Sequence, residues 1–159
     1  MGVLIFGTPT LLLLDYDFTV ALSFLLPASF AISLLQVLGA GSTRVPVSQH
    51  LYLVCLPGIA AGLWLAGNSP SASWTNFMVG TMLLLTALLR LWSPSRKLLS
   101  TCLRKYLPAY HLVMGVTHGL TNLGGGLLAV LASGIQAEKA AIRYTVAHYY
   151  LAFSVVQIL

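Results

Sequence analysis

The chain has 159 residues, of which 58% are hydrophobic and only 7% charged, with a formal net charge of +5 and a mean hydropathy of +0.89. Soluble domains carry about 25% charged residues, so this composition excludes a globule covered by water and places the chain in a lipid bilayer. The positive balance does not point to nucleic acid, because most of it comes from one short cluster, whose readers are the translocation machinery or an anionic leaflet.

Residues 2–14 (GVLIFGTPTLLLL) are apolar but only about 20 Å long if helical, and Gly7 and Pro9 interrupt them. They read as a half-span or re-entrant piece. Asp15, Tyr16 and Asp17 follow as a polar corner. Phe18 to Ala40 is long enough to cross a membrane, with a kink expected at Pro27. A loop over 41–49 carries Arg44 and Pro46. His50 to Ala66 is a second span, in which Gly58 and Gly62 form a small-xxx-small face for close packing. After a neutral turn at 68–73, Trp74 to Trp92 makes a third span with a tryptophan at each end, as interfacial belts prefer. Residues 93–106 form a basic loop. Pro108 to Ser133 is a broken fourth span, and Ala137 to Leu159 a fifth. Cys55 lies in a span and Cys102 in the basic loop, a placement that suggests packing and not a disulfide.

If each span crosses once, Arg44 and the group Arg90, Arg96, Lys97, Arg104 and Lys105 share one side. Lys139 and Arg143 then lie opposite. The positive-inside rule makes the larger set, with loop 93–106, cytoplasmic. Asp15, Asp17 and Glu138 then fall outside.

An internal repeat is visible. Ser33-Leu34-Leu35-Gln36-Val37-Leu38 recurs as Ser154-Val155-Val156-Gln157-Ile158-Leu159, an offset of 121 residues, and Asp17 falls on Glu138 at the same offset. The repeat divides the chain into residues 1–106, the first unit with the basic loop, and 107–159, the second. Two similar halves enclosing a site are transporter practice. With an even number of crossings between them, the repeats are expected to run parallel. Further upstream Gly2-Val3-Leu4-Ile5-Phe6 resembles Gly126-Leu127-Leu128-Ala129-Val130 at an offset of 124, with a three-residue gap, so the chain begins at the counterpart of the triplet's last glycine. A motif helix is therefore expected before it, and two further spans after Leu159.

The stretch His111 to Gly134 (HLVMGVTHGLTNLGGGLLAVLASG) is the most informative. Each of its three consecutive glycines costs a helix interior roughly 0.5–1 kcal/mol against alanine. A break inside lipid is tolerated only where protein, water or a ligand satisfies the freed backbone groups. Short polar side chains flank this one, so it reads as a ligand-facing site. Gly124, Gly125 and Gly126 would supply a concave nest of backbone N–H groups at a half-helix N-terminus, which suits an anion. Thr117 and Thr121 share a helix face with His118 adjacent, and Asn122 lies one turn past His118. Gln157, and by the repeat Gln36, would add amides from neighbouring spans. His148, midway along the fifth span, is the candidate proton carrier, whereas His50 and His111 fall near span ends and read as interfacial.

The run Gly115-Val116-Thr117-His118-Gly119-Leu120-Thr121-Asn122-Leu123-Gly124-Gly125-Gly126, followed by an apolar run, a corner and another span, resembles the sulfite exporter TauE/SafE family. The resemblance implies a membrane permease that moves sulfur-containing anions or small organic acids across the cytoplasmic (inner) membrane. The fold expected is thus an all-α polytopic membrane helix bundle with an internal repeat and a glycine-broken helix. Its partners would be the lipid bilayer, a small anionic substrate, and a second copy or a completing half.

Enzyme chemistry finds no support. His118 and Asn122 stand four apart as in some intramembrane proteases, but Ser133 lacks a nucleophile setting. No carboxylates are paired within a span, and no Cys/His set has metal-ligand spacing. No cofactor is implied. The competing reading is a non-transporting structural subunit that uses its small-residue faces for packing.

Overall fold

The computed structural model describes residues 2–68, 72–91, 101, 103 and 105–158. Trp92, Cys102, Leu159, the middle of the expected turn at 68–73 and most of the basic loop lie outside these. The described chain is all-α, with seven helices: α1 (Gly2–Leu13), α2 (Phe18–Leu38), α3 (Leu56–Gly67), α4 (Ala72–Leu91), α5 (Leu107–Thr121), α6 (Gly125–Ile135) and α7 (Lys139–Ile158). Each expected span has its helix, and the fourth is split in two. Among the described residues α2 is the one helix long and apolar enough to cross a membrane by itself, with a mean hydropathy of 2.0. Leu51–Gly67 and Gly125–Ile135 are apolar but shorter.

Local chemistry explains the irregular turns. Pro57 has no N–H for the Leu53 carbonyl and its ring crowds that group. The helix widens ahead of it into a π turn over Leu51–Cys55, where the Leu56 N–H donates to the Leu51 carbonyl. Such single π turns are a common way to absorb one misfit residue. Pro27, by contrast, is carried inside a continuous α2.

Two packing relations set the architecture. α3 and α5 run side by side in the same direction with backbone touching backbone. A side chain on Gly115 would run into the Cys55 carbonyl, and one on Gly119 into the Ile59 carbonyl. Gly58 and Gly62 reciprocate against Leu112, Val116 and Gly119. The small-residue face expected on the second span therefore meets a matching one on the fourth, which brings dispersion contacts close. α7 also runs parallel to α5, since His111, His118 and Asn122 meet Tyr149, Phe153 and Gln157 in that order.

This order corrects the expected topology. The broken segment does not continue across: α6 folds back beside α5. From Tyr110 to Thr121 the chain climbs about 16 Å at 1.5 Å per residue. Yet the Tyr110 hydroxyl donates to the carbonyl of Leu127, only six residues beyond Thr121, at 2.6 Å. α5 and α6 form a hairpin, so α7 starts at the same end as α5.

The repeats are consequently inverted, not parallel. α1–α2 and α6–α7 are each a short helix folded onto a long one, as shown by Gly7 against Leu25. The long arms run antiparallel, with Ser29 facing Ser154 and Gln36 near Arg143 and Tyr144. The physical reason is the hairpin, which replaces one crossing and reverses everything after it. Arg44, Lys105, Lys139 and Arg143 then gather at one end of the bundle and Asp15 and Asp17 at the other. The expectation of Lys139 and Arg143 opposite Arg44 does not hold.

The core lies where α3, α5, α6 and α7 meet. Leu51, Cys55, Ile59, Met114, Leu128, Leu131, Tyr149 and Phe153 are all buried there. The outer surface is strongly apolar: Phe6, Leu13, Phe24, Leu35, Leu53, Trp64 and Leu91 are each exposed by about two-thirds or more.

Candidate functional site at the α5–α6 break

α5 ends because Asn122 adopts the left-handed conformation, φ 58° and ψ 12°, with its N–H donating to the His118 carbonyl at 2.7 Å. Asparagine is one of the few side chains that visits this region without a large penalty. The break is thus written by Asn122, while the glycines after it let α6 begin in close quarters. Thr121 closes the turn: its hydroxyl donates to the Thr117 carbonyl (2.8 Å) and accepts from the Leu123 N–H (3.2 Å).

The Asn122 side chain is fully buried and ties three helices together. Its Nδ2 donates to the Thr8 hydroxyl of α1 at 3.0 Å, and its Oδ1 accepts from Gln157 Nε2 of α7 at 3.3 Å. Thr8 is fully buried as well. It lies in the stretch that reads as a half-span or re-entrant piece, where its hydroxyl, beside Gly7, Pro9 and Thr10, gives no sign of this role.

His118 sits directly beneath the start of α6. A Cβ on Gly124 would lie 2.6 Å from His118 Cβ and 3.1 Å from its Nδ1, so only glycine admits the ring there. The imidazole is fully buried, tilted against Phe153 with ring centroids 4.5 Å apart and edge-on to Tyr150. Neither ring nitrogen, nor Gln157 Oε1, makes a well-aligned hydrogen bond among the described residues, although the Gln157 side chain approaches the ring closely enough to interact with it. The ring and the Gln157 amide are thus each other's nearest polar company, weakly satisfied in a buried cluster where a lost hydrogen bond costs about 1–3 kcal/mol.

The structure thus brings together Thr121, Asn122, His118, Gly124, Gly125 and Gln157. Thr117 is half-buried one turn below and contributes its carbonyl; Gly126 is half-buried, with its N–H 3.4 Å from the Leu123 carbonyl. Gln36 does not join them. It is exposed at the other end of α2, because inversion sends equivalent positions to opposite ends. His148 also stands apart, half-buried, with Nε2 2.7 Å from the Tyr52 hydroxyl.

His111 is not interfacial: it is fully buried. Its Nδ1 is 2.8 Å from the Leu107 carbonyl, which can only accept, so Nδ1 carries the proton. Nε2 then accepts from the Tyr149 hydroxyl at 2.8 Å. The sequence position alone, one turn into a helix after Pro108, hides this role. His50 stacks beside it with ring centroids 5.8 Å apart and bonds Ser48 through Nδ1.

Comparison with known proteins returned no matching family model, no similar curated protein and no similar solved structure.

Proposed function

We propose that this chain is a multi-pass inner-membrane permease that moves a small anion, such as a sulfur oxyanion, through the α5–α6 break. The single observation that carries this reading is His118, a fully buried ionisable ring at a helix break whose nitrogens make no well-aligned hydrogen bond among the described residues and whose polar neighbour is Gln157. An ionisable group inside a membrane bundle is by default a functional candidate. The likeness of the glycine-rich run to TauE/SafE permeases supports the class of solute.

Membrane placement is supported by an inside-out distribution of side chains. Phenylalanine, tryptophan and leucine face outward while His111, His118, Thr121 and Asn122 are enclosed. In water each exposed apolar Å² forfeits about 25 cal/mol; in lipid the same arrangement costs nothing. The described cations then mark the cytoplasmic end under the positive-inside rule. Ser154 faces Ser29, so Gln157, one turn on, is level with Leu25–Leu26, about 12 Å from the Phe18 end of α2 at 1.5 Å per residue. The polar cluster thus lies well inside the bundle, where transporter sites sit.

The chemistry suits a singly protonated oxyanion such as hydrogen sulfite. A neutral His118 offers one N–H and one lone pair, and Gln157 Oε1 offers further acceptor capacity. The solute would accept from the ring, donate its own proton to a lone pair, and rest its charge near the positive N-terminus of α6. The test is sulfite flux into proteoliposomes holding the parent, Gly125→Leu and His118→Phe. The reading requires flux by the parent and its loss in both variants. Parent-like flux in His118→Phe would refute the site.

The second reading is a structural subunit that works beside a partner copy or completing half, although the glycine faces of α3 and α5 are spent on each other within this chain. It predicts no anion flux by the isolated chain.

A further inference from the structure

A cleft of mixed lining lies at the opposite end of the α2–α7 pair, away from the His118 cluster. Gln36, Gly39, Ala40 and Thr43, from the end of α2 and the turn after it, face Arg143 and Tyr144 of α7 across a volume of about 330 Å³. The floor is open because Gly39 and Ala40 are small. The walls are rich in donors: the Arg143 guanidinium, the Gln36 amide and the Tyr144 hydroxyl. Thr43 spends its proton on the Ala40 carbonyl at 2.6 Å. No ion pair engages Arg143 among the described residues, although Glu138 is close in sequence. Lys139, four residues earlier, shares its helix face and is a second exposed cation at this end of α7, though it does not line the cleft.

We infer that this cleft binds the phosphate of an anionic phospholipid. A guanidinium fork matches phosphate oxygens in a two-pronged, charge-assisted contact, and basic pockets between membrane helices at the cytoplasmic side hold acidic head groups. A free anion would need only the donors. A lipid also needs an apolar surface below the phosphate, and Ile32, one turn toward the middle of the bundle on the Gln36 face of α2 and 38% exposed, provides one. This inference rests on the membrane placement proposed above, and not on transport.

The test uses the full chain purified in mild detergent, with native mass spectrometry and a titration of short-chain phosphatidylglycerol, phosphatidylcholine or inorganic phosphate. The expected result is saturable phosphatidylglycerol binding, weak phosphatidylcholine binding, and no competition by millimolar phosphate. Arg143→Gln should weaken phosphatidylglycerol by about tenfold or more, as loss of a charged hydrogen-bond pair does. Arg143→Lys should fall between, since it keeps the charge and loses the fork. Arg143 is exposed, and unchanged helical circular dichroism would show that the variants fold. Equal binding of the two lipids, or no effect of Arg143→Gln, overturns the inference. Competition by phosphate alone overturns the lipid and leaves a soluble-anion site. A chain that fails to partition into liposomes sinks the membrane placement and this inference together, whereas an inserted chain indifferent to Arg143 sinks this inference alone.

Discussion

Replacing Asn122 by alanine and by glycine separates the two things this residue does. Both changes delete the side-chain bonds to Thr8 and Gln157, worth about 0.6 kcal/mol each at polar contacts between packed apolar helices. Alanine must also hold φ near 58°, which costs a side chain with a Cβ about 1–2 kcal/mol. Glycine escapes that penalty but loses about 0.4–1 kcal/mol through its freer unfolded chain. Asn122→Ala should therefore lose about 2–3 kcal/mol and Asn122→Gly about 1 kcal/mol less than that. Cys55 is fully buried and its thiol is free, so alkylation of Cys55 during heating, in a Cys102→Ser background in detergent, reports unfolding. If the glycine variant is no more stable than the alanine variant, Asn122 is not held left-handed and the break has another cause.

Three further outcomes follow from the packing. Gly119→Leu should push α3 from α5, since its Cβ alone would meet the Ile59 carbonyl; overpacking of this kind costs about 1–3 kcal/mol or more, seen as faster Cys55 alkylation at room temperature. His111→Phe should destabilise by about 1–3 kcal/mol because it strands the buried Tyr149 hydroxyl, and adding Tyr149→Phe should return part of that loss in a double-mutant cycle on thermal midpoints. Single cysteines at Asp15 and Lys139 should label from opposite faces of right-side-out vesicles, with Lys139 on the face of Arg44; labelling of positions 15 and 139 from the same face would refute the α5–α6 hairpin.

Helix positions were legible in the chain itself because they depend on local signals. Apolar runs of the right length, Pro108 at the start of the fourth and the Asp15–Asp17 corner all act within about one turn, whereas the π turn ahead of Pro57 went unread. A break was legible for the same reason, from the triplet Gly124–Gly126, but its cause was not: Gly125 and Gly126 lie inside α6, and the left-handed residue is Asn122. His118, Thr121 and Asn122 stood out as polar groups in an apolar run, and the structure gathers them. Gly58 and Gly62 announced close packing but not their partner.

What the chain after the break does was decided only by tertiary structure. A glycine-rich turn permits both continuation and reversal, and the choice is made by which faces find partners: Tyr110 on Leu127, Tyr149 on His111, Gln157 on Asn122. That one reversal inverted the repeats, parted Gln36 from Gln157, and drew Lys139 and Arg143 to the end that holds Arg44. Thr8 and His111 became buried polar groups through contacts 114 and 38 residues away, separations at which no periodicity in the sequence carries information. Local composition determines where a helix starts and fails, whereas direction and company are set by packing energies that exist only once the distant faces have met.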